Sequence, residues 1–137
     1  MNSFIGFADG AHRYTLNLAF AAWVLYSPTC ELVSLGGILL GPSTNKLAEY
    51  QVVVALLTEA LANDVREIRV CLDSELVVQQ LNQVYTIRNP LLLHTFQRVR
   101  LLERSFEQVT YQHIPRHLNA VVDSLANYVL DWYIAHT

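Results

Sequence analysis

The chain has 137 residues, 53% of them hydrophobic and 15% charged, with a formal net charge of −3. That length suits one domain, 1–137, and the composition excludes disorder, collagen-like repeats and polar low-complexity sequence. A pI near 5.9 excludes a purely electrostatic grip on nucleic acid, although not nucleic acid as a partner.

Residues 3–9 alternate toward Asp9, and Gly10 then permits a turn, so a first strand is expected to end in a carboxylate. AFAAWVLYS before Pro28 reads as a second strand and Glu31 to about Leu39 as a third. GPSTN then breaks the pattern. Residues 45–63 have good helix formers and almost no polar face, which predicts a helix packed over a wide arc and capped by Ser43 or Thr44. REIRVCLD is a fourth strand, again ending in a carboxylate, and SELVVQQLN begins a second helix, so this segment places a parallel pair in the sheet. Asn89 and Pro90 open a third helix to about Arg104, FEQVTYQHI alternates as a fifth strand, and a last helix runs from Leu118. The expected class is α/β, a five-stranded mixed sheet flanked by helices.

Cys30 and Cys71 form no CxxC, which supports neither a disulfide framework nor a zinc site and favours a reducing compartment. No apolar run approaches the ~18 residues of a membrane span, and the first residues lack a signal-peptide pattern. The expectation is a soluble, cytoplasmic monomer.

Four carboxylates stand in suggestive places. Asp9 and Asp73 close two strands that are plausible neighbours, so their side chains fall at one sheet edge if those strands run parallel. Taken alone, the first is an ordinary turn aspartate and the second an ordinary helix cap. Glu49 lies on the stripe of Val52, Val53 and Leu56, with Asn45 one turn earlier on the same face. Asp123 shares a face with Asn119, Asn127 and Asp131, the pattern of a solvated helix face. Carboxylates held a few Å apart repel unless a cation neutralises them, and oxygen donors alone select a hard ion such as Mg2+ or Mn2+.

FADG around Asp9, STNKLAEY around Glu49, CLDSELVVQQL around Asp73 and HIPRHLNAVVDSLAN ending past Asp123 resemble, in that order, the type 1 ribonuclease H family. The wording HIPR and the short span from Asp73 to Asp123 are similar to its compact branch without a basic protrusion. The resemblance implies the ribonuclease H fold and endonucleolytic hydrolysis of the RNA strand of RNA/DNA hybrids. It further implies 5′-phosphate and 3′-hydroxyl ends, and two Mg2+ or Mn2+ ions held by Asp9, Glu49, Asp73 and Asp123 as catalytic ligands. Thr44, Asn45, Ser74 and Asn119 would contact substrate, and Arg116 or His117, just before the last acid, would assist turnover or proton transfer. The alternatives are a non-catalytic interaction module of this fold or another nuclease built on it. An exonuclease of the fold would carry Asp-x-Glu in the first strand, where this chain has Ala11.

Two features depart from that family. AHRYTLNLAF follows Asp9 in place of a Gly-Asn-Pro-Gly-like turn, and Lys46 is the sole lysine. Arg88, Arg98, Arg100 and Arg104 interleave with Glu103 and Glu107 as a solvated helix would, so the grip on a hybrid is expected to be weak. His113 is expected to pack within the fifth strand.

Overall fold

The computed structural model describes residues 2–13, 15–83 and 86–136. Strands β1 (Phe4–Arg13), β2 (Leu18–Tyr26) and β3 (Leu32–Gly41) form an antiparallel meander, followed by α1 (Asn45–Ala62), β4 (Glu67–Leu72), α2 (Glu75–Leu81), α3 (Pro90–Glu103), β5 (Gln108–His113) and α4 (Ala120–Ala135). The strand order is β3-β2-β1-β4-β5, with β4 parallel to both β1 and β5. This is the mixed five-stranded sheet that the element order implies.

The first strand is longer than its sequence suggests. Gly10 does not turn the chain; it stays extended, and pairing with β2 continues from Gly10↔Ala21 to Arg13↔Leu18. Backbone pairing decides this, because a glycine followed by three residues with a partner strand gains ladder hydrogen bonds that a turn would forfeit. The parallel pairing of β1 with β4 stops at Phe7↔Cys71. Asp9 therefore stands just beyond the point where the sheet opens between those strands, and Asp73 follows the last residue of β4.

Helix α1 buries Leu47, Tyr50, Val53, Leu56 and Leu57 among others, because the sheet lies on one side of it and α3 on the other. Gly6 and Gly10 let it approach β1 closely: a Cβ on Gly6 would stand 2.7 Å from Leu56, and one on Gly10 3.3 Å from Ala48. Thr44 caps α1 by accepting from Leu47 N at 3.2 Å, and Asn89 caps α3, with Pro90 in its first turn. On the opposite sheet face α4 closes a smaller core with Ala11, Phe20, Ala22 and Val24, through Val122, Ala126 and Leu130.

Three further expectations need correction. His113 ends β5 and is exposed, because it stands at the last position of the strand, beyond the buried Tyr111 on the same face. The last helix begins at Ala120, after a 3-10 turn at Arg116–Asn119. Arg100 is not part of a solvated face: its guanidinium bonds Glu103 at 2.8 Å and the Leu81 carbonyl, and lies 4.5 Å from the Phe96 ring centre. Glu103 in turn accepts from the Tyr111 hydroxyl.

Candidate active site

Where β1 and β4 separate, a polar cavity of about 400 Å³ opens between the sheet edge, the start of α1 and the side of α4. β1 supplies Asp9, Gly10, Ala11, His12 and Arg13; α1 supplies Asn45 and Glu49; Asp73 and Ser74 follow β4. Arg116 enters from the 3-10 turn, and Asp123 and Asn127 from α4. All four acids singled out in the sequence thus meet in one place, although they lie up to 114 residues apart in the chain. Asp9, Glu49, Asp73 and Ser74 also close a second, small hollow beneath the first with Ala8, Val52 and Leu72.

Each acid is held by its neighbours. Asp9 is 8% exposed, and the Gly10 N–H donates to its Oδ1 at 2.9 Å. Burial first, then a hydrogen bond with Asp123 and the charges of Asp73 and Asp123, push its pKa up from 3.8 to about 8, against the lowering effect of the Gly10 N–H. Burial also raises Glu49, with Asp73 adding to the rise and the Ser74 hydroxyl and Lys46 opposing it. Asn119 is 1% exposed and works from below: its Nδ2 donates to Ala8 O at 3.0 Å and to Asp73 Oδ2 at 3.3 Å, joining β1 to the end of β4. Asn127 Nδ2 donates to Asp123 O at 2.9 Å and Oδ1 at 3.3 Å, while Arg116 lies 3.8 Å from Asp123 Oδ1.

The face carrying Asn119, Asp123 and Asn127 is therefore not the solvated face its spacing suggests. The sheet edge lies against it. Asp73 does not cap α2 either; Ser74 does, accepting from Val77 N at 3.4 Å. Thr44 and His117 are not part of the cavity lining, and Asn119 supports the site from beneath it rather than lining it. Sequence reasoning missed His12 and Arg13, because ending the strand at Asp9 consigned them to a turn. It also placed Asn127 on a solvated face, although its spacing of four from Asp123 on a helix marks the two as neighbours.

Among the described residues no three His, Cys, Asp or Glu side chains form a ready-made metal cluster. The donor chemistry nevertheless fits a hard divalent cation. The acids offer only oxygen, and the raised pKa of Asp9 registers a repulsion from Asp73 and Asp123 that a cation would relieve.

A family model described as reverse transcriptase-like matches residues 7–129. The crystal structure of RNase H1 from Halobacterium salinarum superposes with a TM-score of 0.90 at 34% identity, covering 94% of this chain and 98% of that one. The chain is a ribonuclease H-like domain of the reverse transcriptase-like family. The N-terminal RNase H domain of a Mycobacterium tuberculosis protein, solved as a fusion with maltose-binding protein, gives a TM-score of 0.91 at 27% identity over 99% of both chains. LC11-RNase H1, solved in complex with an RNA/DNA hybrid, gives 0.88 at 26% identity over 96% of this chain and 99% of that one. In full-length sequence, the ribonuclease HI of Halobacterium salinarum is 36% identical over 123 residues, 90% of this chain. This ribonuclease H-like domain spans 62% of that protein's length, and the match to the mycobacterial bifunctional protein spans 25% of its length.

Proposed function

We propose that this domain, residues 1–137, is a ribonuclease H that hydrolyses the RNA strand of RNA/DNA hybrids. The observation that carries the proposal is the meeting of Asp9, Glu49, Asp73 and Asp123 in one polar cavity. The relatedness to a ribonuclease HI, and to a ribonuclease H1 crystallised on a hybrid, supports the choice of reaction and substrate. Its two free cysteines, Cys30 and Cys71, support a cytoplasmic location.

Asp9, Glu49, Asp73 and Asp123 would hold two Mg2+ or Mn2+ ions. When bound, such a pair activates the attacking water and stabilises the departing 3′-oxygen, leaving 5′-phosphate and 3′-hydroxyl ends. The chain's own groups then have positioning work. Asn119 fixes Asp73 relative to the β1 backbone. Asn127 orients the Asp123 carboxylate. Asn45, at the mouth beside Glu49, offers an amide that can reach a base edge or a 2′-hydroxyl. Thr44, outside the cavity, has its hydroxyl engaged in capping α1, and its contact with substrate would be to the neighbouring backbone phosphate. Ser74 steadies Glu49. Arg116 places a cation at the edge of the acid cluster, where it would attract the scissile phosphate, and His117 lies exposed beside it on the same turn.

Labelled RNA/DNA hybrid, duplex RNA and single-stranded RNA, each incubated with Mg2+ or Mn2+, test the proposal on one gel. The expected result is cleavage of the hybrid's RNA strand alone, abolished by chelator. Uncut hybrid under both ions would refute it.

A further inference from the structure

Strand β1 brings a cation into the acid cavity, at a distance from the acids themselves. Asp9, Ala11 and Arg13 alternate onto one face of the strand, and Ala11 packs against α4 there. Arg13 is the last of the three and lines the cavity. Its Cα stands four residues beyond that of Asp9, about 13 Å along the strand, so it is set apart from the cluster that Arg116 adjoins. Asp131 meets it from α4, where Asp123, Asn127 and Asp131 follow one another at intervals of four residues on one stripe. One end of that stripe belongs to the acid cluster and the other holds an arginine.

The pair is built for exchange. Arg13 Nε and Nη2 donate at 3.1 and 2.7 Å to the same atom, Asp131 Oδ1, and Nη1 reaches the His12 carbonyl oxygen at 3.5 Å. A guanidinium edge of two N–H groups fits two oxygens side by side. One carboxylate oxygen does not supply that, whereas the two non-bridging oxygens of a phosphodiester do. The Asp131 side chain is 63% exposed against 30% for Arg13, and Asp131 does not line the cavity. An ion pair this open to water adds little stability, and the carboxylate left behind would be well hydrated. Helix α4 is also already held on β1 by Ala11 with Val122, Ala126 and Leu130, so it has little need of a latch at the surface.

We propose that Arg13 is a substrate-binding residue, which leaves Asp131 to take a backbone phosphate of the bound hybrid, further along the strand than the phosphate held at the acids. The inference rests on the reading of the cavity as the site of a hybrid nuclease, and it names one of the grips of that site. Asp131 is then a positioning residue. It holds the guanidinium beside the cavity, which reduces the freedom lost when substrate docks, and it competes with the phosphate for the same two N–H groups. The two roles open to the pair have opposite consequences. If it is a latch between β1 and α4, loss of either partner harms the site alike; if Arg13 serves phosphate, loss of Asp131 frees it and binding improves.

Titration of labelled hybrid with Mg2+ at several salt concentrations, on an Asp73→Asn background chosen to leave the RNA strand uncut, provides the test. Arg13→Ala is expected to weaken binding about tenfold at low salt, as loss of a charge-assisted contact does. It should also make the slope of log K against log salt shallower by about 0.9. Asp131→Ala is expected to do the reverse, tightening binding about threefold, and to lose that effect once Arg13 is already alanine. Melting temperatures check that each variant is folded; should Arg13→Ala fail to fold, Arg13→Gln, which keeps most of the stem, takes its place. Binding and slope unchanged without Arg13 would overturn the proposal. So would weaker binding in Asp131→Ala, the mark of a latch, or equal tightening with and without Arg13, the mark of a distant charge. A background that binds no hybrid would overturn it too, whereas hybrid that is bound but left uncut by wild type would defeat the ribonuclease reading alone.

Discussion

Asp9 concentrates the electrostatic cost of the site in one side chain. Its pKa of about 8 against an ordinary 3.8 means that the unfolded chain ionises it near pH 4, whereas the metal-free folded chain holds the proton until about pH 8. Folding stability is full below the lower value and is lost as pH rises across that window. Asp9→Asn removes the loss, so thermal unfolding in chelator should show the variant melting several degrees above wild type at pH 8, with little margin near pH 4. Equal margins at the two pH values would contradict the assignment. In cleavage assays with metal, Asp9→Asn and Asp73→Asn should both be inactive. Arg116 and His117 separate at the same scale. Because Arg116 lines the cavity 3.8 Å from Asp123 and His117 does not line it, single-turnover cleavage should fall about tenfold to a hundredfold in Arg116→Ala, and less than threefold in His117→Ala. Metal titrations should be little changed in either. A larger loss from His117→Ala would transfer the role.

At the scale of elements, the position of Glu49 depends on how closely α1 lies on β1. A side chain at Gly10 would press on Ala48, the neighbour of Glu49: its Cβ would stand 3.3 Å from the Ala48 methyl, which has no rotamer by which to move aside. Gly10→Val should therefore push the first turns of α1 outward and reduce cleavage by tenfold or more, while costing about 1–3 kcal/mol of stability as overpacking does. Near-wild-type cleavage by the folded variant would show that the approach of α1 is not what sets Glu49. Strand β3 poses a different question, since it is an edge strand of 10 residues carrying exposed Leu32, Leu35 and Ile38. Such an edge invites pairing with other chains. Leu35→Lys should leave the melting temperature within the scatter expected of a surface change of about 0.5 kcal/mol, and slow light-scattering growth on storage. Unchanged aggregation would place the liability elsewhere.

The whole molecule carries few positive charges with which to hold a polyanion, nine Lys and Arg against twelve Asp and Glu. Arg13, Arg66, Arg100 and Arg116 each pair with a carboxylate, and Lys46 is the sole lysine. Each phosphate neutralised contributes a slope of about −0.9 to log K against log salt on duplex DNA, so hybrid binding should be weak with a shallow slope, equivalent to only a few phosphates. A steep slope with tight binding, measured by titration at several salt concentrations, would reveal a basic surface absent from this account.

The sequence by itself determined the element order, the antiparallel meander followed by a parallel crossover, and the four acids. These follow from local periodicity, from caps such as Thr44 and Asn89, and from spacing on single elements, all written within a few turns of chain. Only the tertiary structure decided where strand β1 ends, because the pairing of Arg13 with Leu18 depends on β2 and not on Gly10 alone. It also decided that Asp123 and Asn127 face a cavity and that Asn119 is buried beneath it, none of them on a solvated face. A helix with three usable faces carries no local mark of which one the sheet will cover, and that choice was made by packing against Ala11, Ala22 and Val24.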